Sequence, residues 1–171
     1  MVYNISVIGG STITDEYCMI ARRVGELLAR NKSVVFCGGL SGVMECVADG
    51  VKSKGGIVVG ILPGYSPMEG NSNLTVSVPT GMGFARNFLV IRAGEAVIAI
   101  DGSAGTLSEA AFAISEGKDV ISLGSAEIVP RKKQEGKFIR AATPDEAVDM
   151  ALSSAKKFRE KFIEIMQKLK D

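Results

Sequence analysis

Residues 95–109 read EAVIAIDGSAGTLSE, an apolar run that breaks into glycines and hydroxyls and then into residues at helical spacing. A buried strand that passes to a helix through so short a turn is the βα unit of a sheet covered on both faces. The same pattern recurs along the chain. YNISVIGG (3–10), SVVFCGG (33–39), GIVVGILPG (56–64), LTVSVPTG (74–81), EAVIAIDG (95–102) and DVISLG (119–124) read as strands, and all six run into glycine. Between them, Ile20, Ala21, Val24, Leu27 and Leu28 mark one helix face, and Val43, Met44, Val47 and Val51 a second. Ala85, Phe88, Leu89 and Arg92 mark a third, and Leu107, Ala110, Ala111 and Ile114 a fourth. This order predicts an α/β, Rossmann-like doubly wound fold, with a mainly parallel sheet and helices on both faces.

The remaining segments fit around that frame. PGYSPMEGNSN (63–73) is rich in turn formers and has no period, so it reads as a surface loop or lid. KFIRAA (137–142) adds a short edge strand, and TPDE (143–146) starts the final helix: Thr143 caps, Pro144 suits the first position and Glu146 completes a capping box. Along that helix Phe158, Phe162, Ile165, Met166 and Leu169 form an apolar stripe. Packing against its own domain is the simpler reading of the stripe, and contact with a second copy the sharper alternative.

Composition narrows the function. A chain of 171 residues with 46% hydrophobic content fills one core, which predicts a single Rossmann-like domain over residues 1–171. Twenty basic against nineteen acidic residues leave no electrostatic footprint for nucleic acid or an anionic membrane. A small-molecule partner is the expectation. MVYNISVIGG (1–10) lacks the charged and apolar regions of a leader, which predicts a cytoplasmic protein. Cys18, Cys37 and Cys46 are odd in number and lack CxxC spacing, so ordinary buried thiols are expected rather than a disulfide or a zinc site. The chain has no histidine, which excludes a Ser-His-Asp triad, a Cys-His pair and a histidine-bound metal; no metal site is expected.

In a parallel sheet the βα turns all emerge at the carboxyl edge, where ligands bind. The turns here are small and polar: GGST (9–12) offers Gly10 and Ser11, and GGLSG (38–42) offers Gly38, Gly39 and Gly42. TGMG (80–83) offers Thr80 and Gly81, and DGSAGT (101–106) offers Gly102, Ser103, Gly105 and Thr106. Glycine lets backbone N–H groups approach an anion, and the helix behind supplies unsatisfied donors and a positive dipole end. One such turn alone is equally a packing device, and neither GxGxxG after the first strand nor GxxxxGK[ST] is present. Convergence of several turns on one crevice favours binding. Arg86, in GMGFARN, brings a guanidinium fork suited to phosphate, and Asn87 beside it is a further candidate for ligand binding. Glu109 is open to two readings: the end of a T-L-S-E capping box, or a carboxylate facing a ribose or a water.

GGLSGVMECVADG, GMGFARN and DGSAGTLSE at these intervals resemble the LOG (SLOG) superfamily, formerly labelled possible lysine decarboxylase, whose signature runs GGxxGxM, Arg-Lys, PGGxGTxxE. Within it, TGMG, Arg-Asn and AGTLSE resemble the branch of molybdenum cofactor carrier proteins. The resemblance implies a Rossmann-like fold, a homodimer or higher homo-oligomer, and phosphate held by the glycine turn. In hydrolytic members the motif arginine and glutamate, here Arg86 and Glu109, release the base from a nucleoside 5′-monophosphate. Asp101, Ser103 and Asn87 depart from the hydrolytic pattern, which favours binding over hydrolysis. The expectation is therefore a binding or carrier protein for a small phosphorylated ligand, a nucleoside monophosphate or a molybdopterin-type cofactor, with no cofactor required for its own chemistry. The alternative is a phosphoribohydrolase, with Glu109 and Arg86 catalytic. Lysine decarboxylation has no support.

Overall fold

In the computed structural model the described residues are 1–102, 104–124, 127–130, 132 and 135–169. Seven strands form one sheet: β1 (Asn4–Gly9), β2 (Val34–Cys37), β3 (Ile57–Leu62), β4 (Val76–Pro79), β5 (Ala96–Ile100), β6 (Val120–Leu123) and β7 (Phe138–Arg140). Their order is β4-β3-β2-β1-β5-β6-β7, and every pairing is parallel. The predicted edge strand at KFIRAA is β7. From β1 the chain winds outward through β2, β3 and β4, then returns to the other side of β1 as β5. Gly9 and Ile100 are register partners at the carboxyl ends of β1 and β5. Their following turns diverge there, and the switch point of a doubly wound sheet opens as a crevice.

Alternation along the strands decides which layer each residue faces. Ile5 and Val7 of β1, with Ala96, Ile98 and Ile100 of β5, join one core with α1 (Asp15–Arg30), α2 (Val43–Ser53) and α5 (Pro144–Lys168). Ile8, Val97 and Ala99 join the other, with α3 (Asn87–Ala93) and α4 (Ala104–Ser115). Both faces of the sheet are thus covered, as the near-continuous apolar strands require.

Several local expectations are refined. No α-helix lies between β3 and β4; that connection holds a single 3-10 turn, Pro67–Glu69, closed by a Ser66/Glu69 capping box. It is anchored to the second glycine turn, because the Asn71 side chain donates to the carbonyls of Gly39 at 3.1 Å and Leu40 at 2.9 Å. Thr143 caps α5 as predicted, accepting from Glu146 N–H, while the Glu146 carboxylate reaches one residue further back, to Ala142 N–H at 2.7 Å. The buried residues of α5 lie between Ala147 and Ala155. Beyond Ala155, Phe158 is half-buried beside Lys118, while Phe162, Ile165, Met166 and Leu169 are exposed, contrary to the simpler reading for that part of the stripe.

The cysteine expectation is overturned. Cys18 of α1 and Cys46 of α2 form a disulfide with Cα atoms 5.4 Å apart, and only Cys37 is a free, buried thiol. Cysteine count and spacing along the chain carry no information about this pair. The two helices lie side by side, with Gly50 of α2 against the backbone of Arg22 in α1, and Arg22 pairs with Asp49 at 2.8 Å. Tertiary packing brings the thiols together.

Candidate functional site

The crevice at the switch point has a volume of about 290 Å³. Of the residues singled out in the sequence, it is lined by Gly10 and Ser11 after β1, Gly38 after β2, Arg86 and Asn87 at the start of α3, and Gly105, Thr106 and Glu109 on α4. Two walls are therefore backbone-rich turns, and the other two bring the Arg86 and Glu109 side chains.

The first two turns interlock. Val43 N–H, at the start of α2, donates to Gly10 O at 3.0 Å, and Ser41 Oγ donates to Ser11 O at 3.1 Å. Gly42 makes this possible: its φ of +69° is in the left-handed region, and a Cβ there would collide with the carbonyl of Gly10. Gly42 is thus the clasp of the crevice wall and lies outside its lining. One α2 N-terminal amide is consumed in the clasp, and the first turn of α4 is a second helix start at the crevice with donors to offer a ligand. Gly105 and Thr106 lie in that turn.

Arg86 sits at the end of a 3-10 turn, Gly83–Arg86, that runs directly into α3. It is 7% exposed, a rare burial for arginine. Nη2 donates to Gly38 O at 3.2 Å, Nη1 donates to Asn87 Oδ1, and the buried Nε has no partner among the described residues. Gly38 leaves room for this, since a Cβ there would stand 2.5 Å from Nη2 and 2.7 Å from both Nη1 and Met44 Sδ. Asn87, which replaces the lysine of the hydrolytic signature, instead orients the guanidinium by accepting from it. A lysine could not do that.

Glu109 resolves toward the crevice. α4 begins at Ala104, so Thr106 is inside its first turn rather than its cap, and the T-L-S-E capping reading fails. Burial pushes the Glu109 carboxyl up to about 7, against the opposing pull of the Arg86 charge. Burial likewise pushes Arg86 down, and Glu109 counters it. The bonds of Arg86 go to Gly38 and Asn87, and Glu109 faces it across the crevice without joining them. A half-neutral carboxyl removes much of the repulsion an anionic ligand would otherwise meet there.

Other predicted residues lie apart. Thr80 donates from Oγ1 to Leu62 O at 2.7 Å, and Gly81 N–H donates to Gly64 O at 2.8 Å, which ties their turn to the end of β3. Gly39 packs against Leu62 and Leu74. Gly102 and Asp101 line a separate small cavity behind Thr106, with Ser122 and Gly124. Ser103 lies outside the described residues. The apolar part of the lining, Leu40, Met44 and Phe84, was not picked out from sequence, although Met44 falls in GGLSGVM and Phe84 in GMGFARN.

Comparison with known proteins places this geometry. Residues 2–148 match the model of the SLOG cluster4 family. The chain belongs to that family. The SLOG chain is 42% identical over 153 residues to an uncharacterised protein of Archaeoglobus fulgidus, covering 90% of this chain and 97% of the relative. Among solved structures, the protein designated TM1055 is 32% identical with a TM-score of 0.76, over 88% of this SLOG chain and 99% of that one. The molybdenum cofactor binding protein of the phototrophic bacterium Rippkaea orientalis is 26% identical, also with a TM-score of 0.76, over 89% and 95% of the two chains. The likeness therefore extends over most of the fold of this SLOG protein. Among its described residues no helix is long and apolar enough to cross a membrane.

Proposed function

We propose that the protein binds a small phosphorylated, nucleotide-like ligand in the switch-point crevice and acts as a binding or carrier protein. One observation carries this reading: Arg86 is buried at the crevice with a desolvated Nε that has no partner among the described residues. Leaving a charged donor buried and unsatisfied is costly. An anion seated between Arg86 and the first turn of α4 would satisfy it, and the helix end adds free amides and a positive dipole end. Gly10, Ser11, Gly38, Gly105 and Thr106 form the cradle in this reading, and Asn87 holds the guanidinium in place. Similarity to a protein named for molybdenum cofactor binding supports a molybdopterin-type ligand as one candidate, with a nucleoside monophosphate as the other. Self-association as a homodimer or higher oligomer belongs to the same reading, and sedimentation velocity at micromolar concentration tests it.

Mass spectrometry of gently purified protein, followed by calorimetric titration with AMP, tests the binding reading. A retained phosphorylated compound or saturable AMP binding lost in Arg86→Ala is expected; no binding of AMP or of any pterin phosphate overturns it.

A second reading, hydrolysis of the N-glycosidic bond of a nucleoside 5′-monophosphate, rests on Glu109. A carboxyl at about 7 suits a group that orients or deprotonates water near neutral pH. It ranks second because Asn87 stands where the hydrolytic signature has lysine. Chromatography after incubation with AMP decides: intact AMP is expected, and adenine released by wild type but not by Glu109→Gln establishes the hydrolytic reading instead.

A further inference from the structure

Phe84 is 92% exposed, yet its backbone is firmly held. Gly83 N–H donates to Pro63 O at 3.0 Å, Ala85 N–H donates to Met82 O at 3.2 Å, and two residues on lies the buried Arg86. A single exposed apolar side chain is ordinary on a protein surface. Its position is what distinguishes this one. Phe84 lines the crevice together with Gly105 and Thr106, and it also lines an apolar groove of about 470 Å³ walled by Phe88 and Phe112. Asn87 and Glu109 line both spaces, so groove and crevice are continuous.

We propose that Phe84 is the platform on which the planar ring system of the bound phosphorylated ligand stacks, and that it gives the site its preference for ring-bearing phosphates over sugar phosphates. The inference rests on the anion-binding reading above. An anion held by Arg86 and the first turn of α4 fixes one end of the ligand in the crevice. The rest of the molecule extends from that end toward Phe84, which borders both the crevice and the apolar groove. A base or pterin presents a π-face suited to an aromatic side chain, and ribose does not. Stacking on an aromatic side chain is worth about 5- to 150-fold in affinity per ring. Because the 3-10 turn fixes the backbone of Phe84, little ordering of the chain opposes the contact.

The test is calorimetric titration of AMP, ribose 5-phosphate and inorganic phosphate into wild type, Phe84→Ala and Phe84→Tyr, with sedimentation velocity on the same samples. Wild type is expected to prefer AMP over ribose 5-phosphate by about 10-fold or more; Phe84→Ala brings the two within about 3-fold, and Phe84→Tyr restores the preference. An AMP preference that survives Phe84→Ala overturns the assignment while leaving the anion site standing. Loss of an oligomer in Phe84→Ala with the AMP preference intact also overturns it, and gives the ring to a contact between copies. Failure of wild type to bind any of the three overturns the anion-site reading and this inference with it.

Discussion

Arg86 Nη2 donates to the carbonyl oxygen of Gly38 at 3.2 Å, so the first residue of one βα turn holds the buried cation that follows another. The contact depends on the missing side chain. In Gly38→Ala the new Cβ would meet both Nη atoms and Met44 Sδ within 2.7 Å, and the guanidinium must move. We expect Gly38→Ala to weaken AMP binding by about 10-fold or more and to lower stability by about 1–3 kcal/mol, as overpacking does. Titration and urea denaturation measure the two effects; unchanged AMP affinity would separate Arg86 from the ligand.

Glu109 makes stability depend on pH. Its carboxyl is raised from 4.5 to about 7, with burial as the cause and Arg86 opposing. Between these values the native state keeps a proton that the unfolded chain has lost. Stability is therefore greatest below about 4.5 with respect to this group, falls as pH rises through about 7, and levels off above it. The expected loss is about 1–3 kcal/mol, reduced by partial solvent access. Urea denaturation at intervals from pH 4.5 to 8 should show this fall in wild type and a flatter profile in Glu109→Gln. Identical profiles would mean that Glu109 titrates normally.

The extent to which sequence disclosed this site follows from the kind of interaction involved. The near-continuous apolar runs of β1 and β5 and the spacing of Val24 and Leu28 are local signals, and they point to a sheet with helices on both faces. Convergence of the Gly10, Gly38 and Gly105 turns followed from the switch-point rule without knowledge of any contact. What escaped was set by tertiary geometry. Thr80 and Gly81 look like a ligand turn, but the carbonyls of Leu62 and Gly64 claim their donors. Starting α4 at Ala104 rather than near Thr106 changes Glu109 from a cap to a crevice residue, and glycine at 105 disguised that start. Asn87 reads as a lost positive charge until its bond to Arg86 is seen.

Asp101 marks a further departure from the family signature, which has proline there. Its φ is +49°, a left-handed conformation that aspartate tolerates better than most residues, and its N–H donates to Leu123 O at 3.2 Å. Proline fixes φ near −65° and has no N–H. Restoring the family residue with Asp101→Pro should therefore destabilise the protein by about 3 kcal/mol or more, while Asp101→Gly should be neutral or stabilising by up to about 1 kcal/mol. Thermal denaturation of both variants checks the pair of signs. A proline variant as stable as wild type would show that the turn adopts the backbone of the hydrolytic signature.

The Cys18–Cys46 bond closes a loop with a sequence separation of 28 between α1 and α2, beside the interlocked turns at Gly10 and Gly42. In the chain-entropy model a loop of this size contributes roughly 3–4 kcal/mol by restricting the unfolded chain. Reduction, or Cys18→Ser with Cys46→Ser, should lower Tm by roughly 5–15 °C. Thiol counting provides an independent check, because burial pushes the Cys37 thiol up to about 11 and leaves it unreactive in the native state. Protein denatured without reductant should then expose one titratable thiol per chain, and reduced protein three. Amide exchange should also quicken first at Gly10, Ser11 and the Gly38–Gly42 turn on reduction, since the bond ties together the two helices behind them. Three free thiols in unreduced protein would remove the clamp, and an unchanged Tm on reduction would show that packing of α1 on α2 suffices without it.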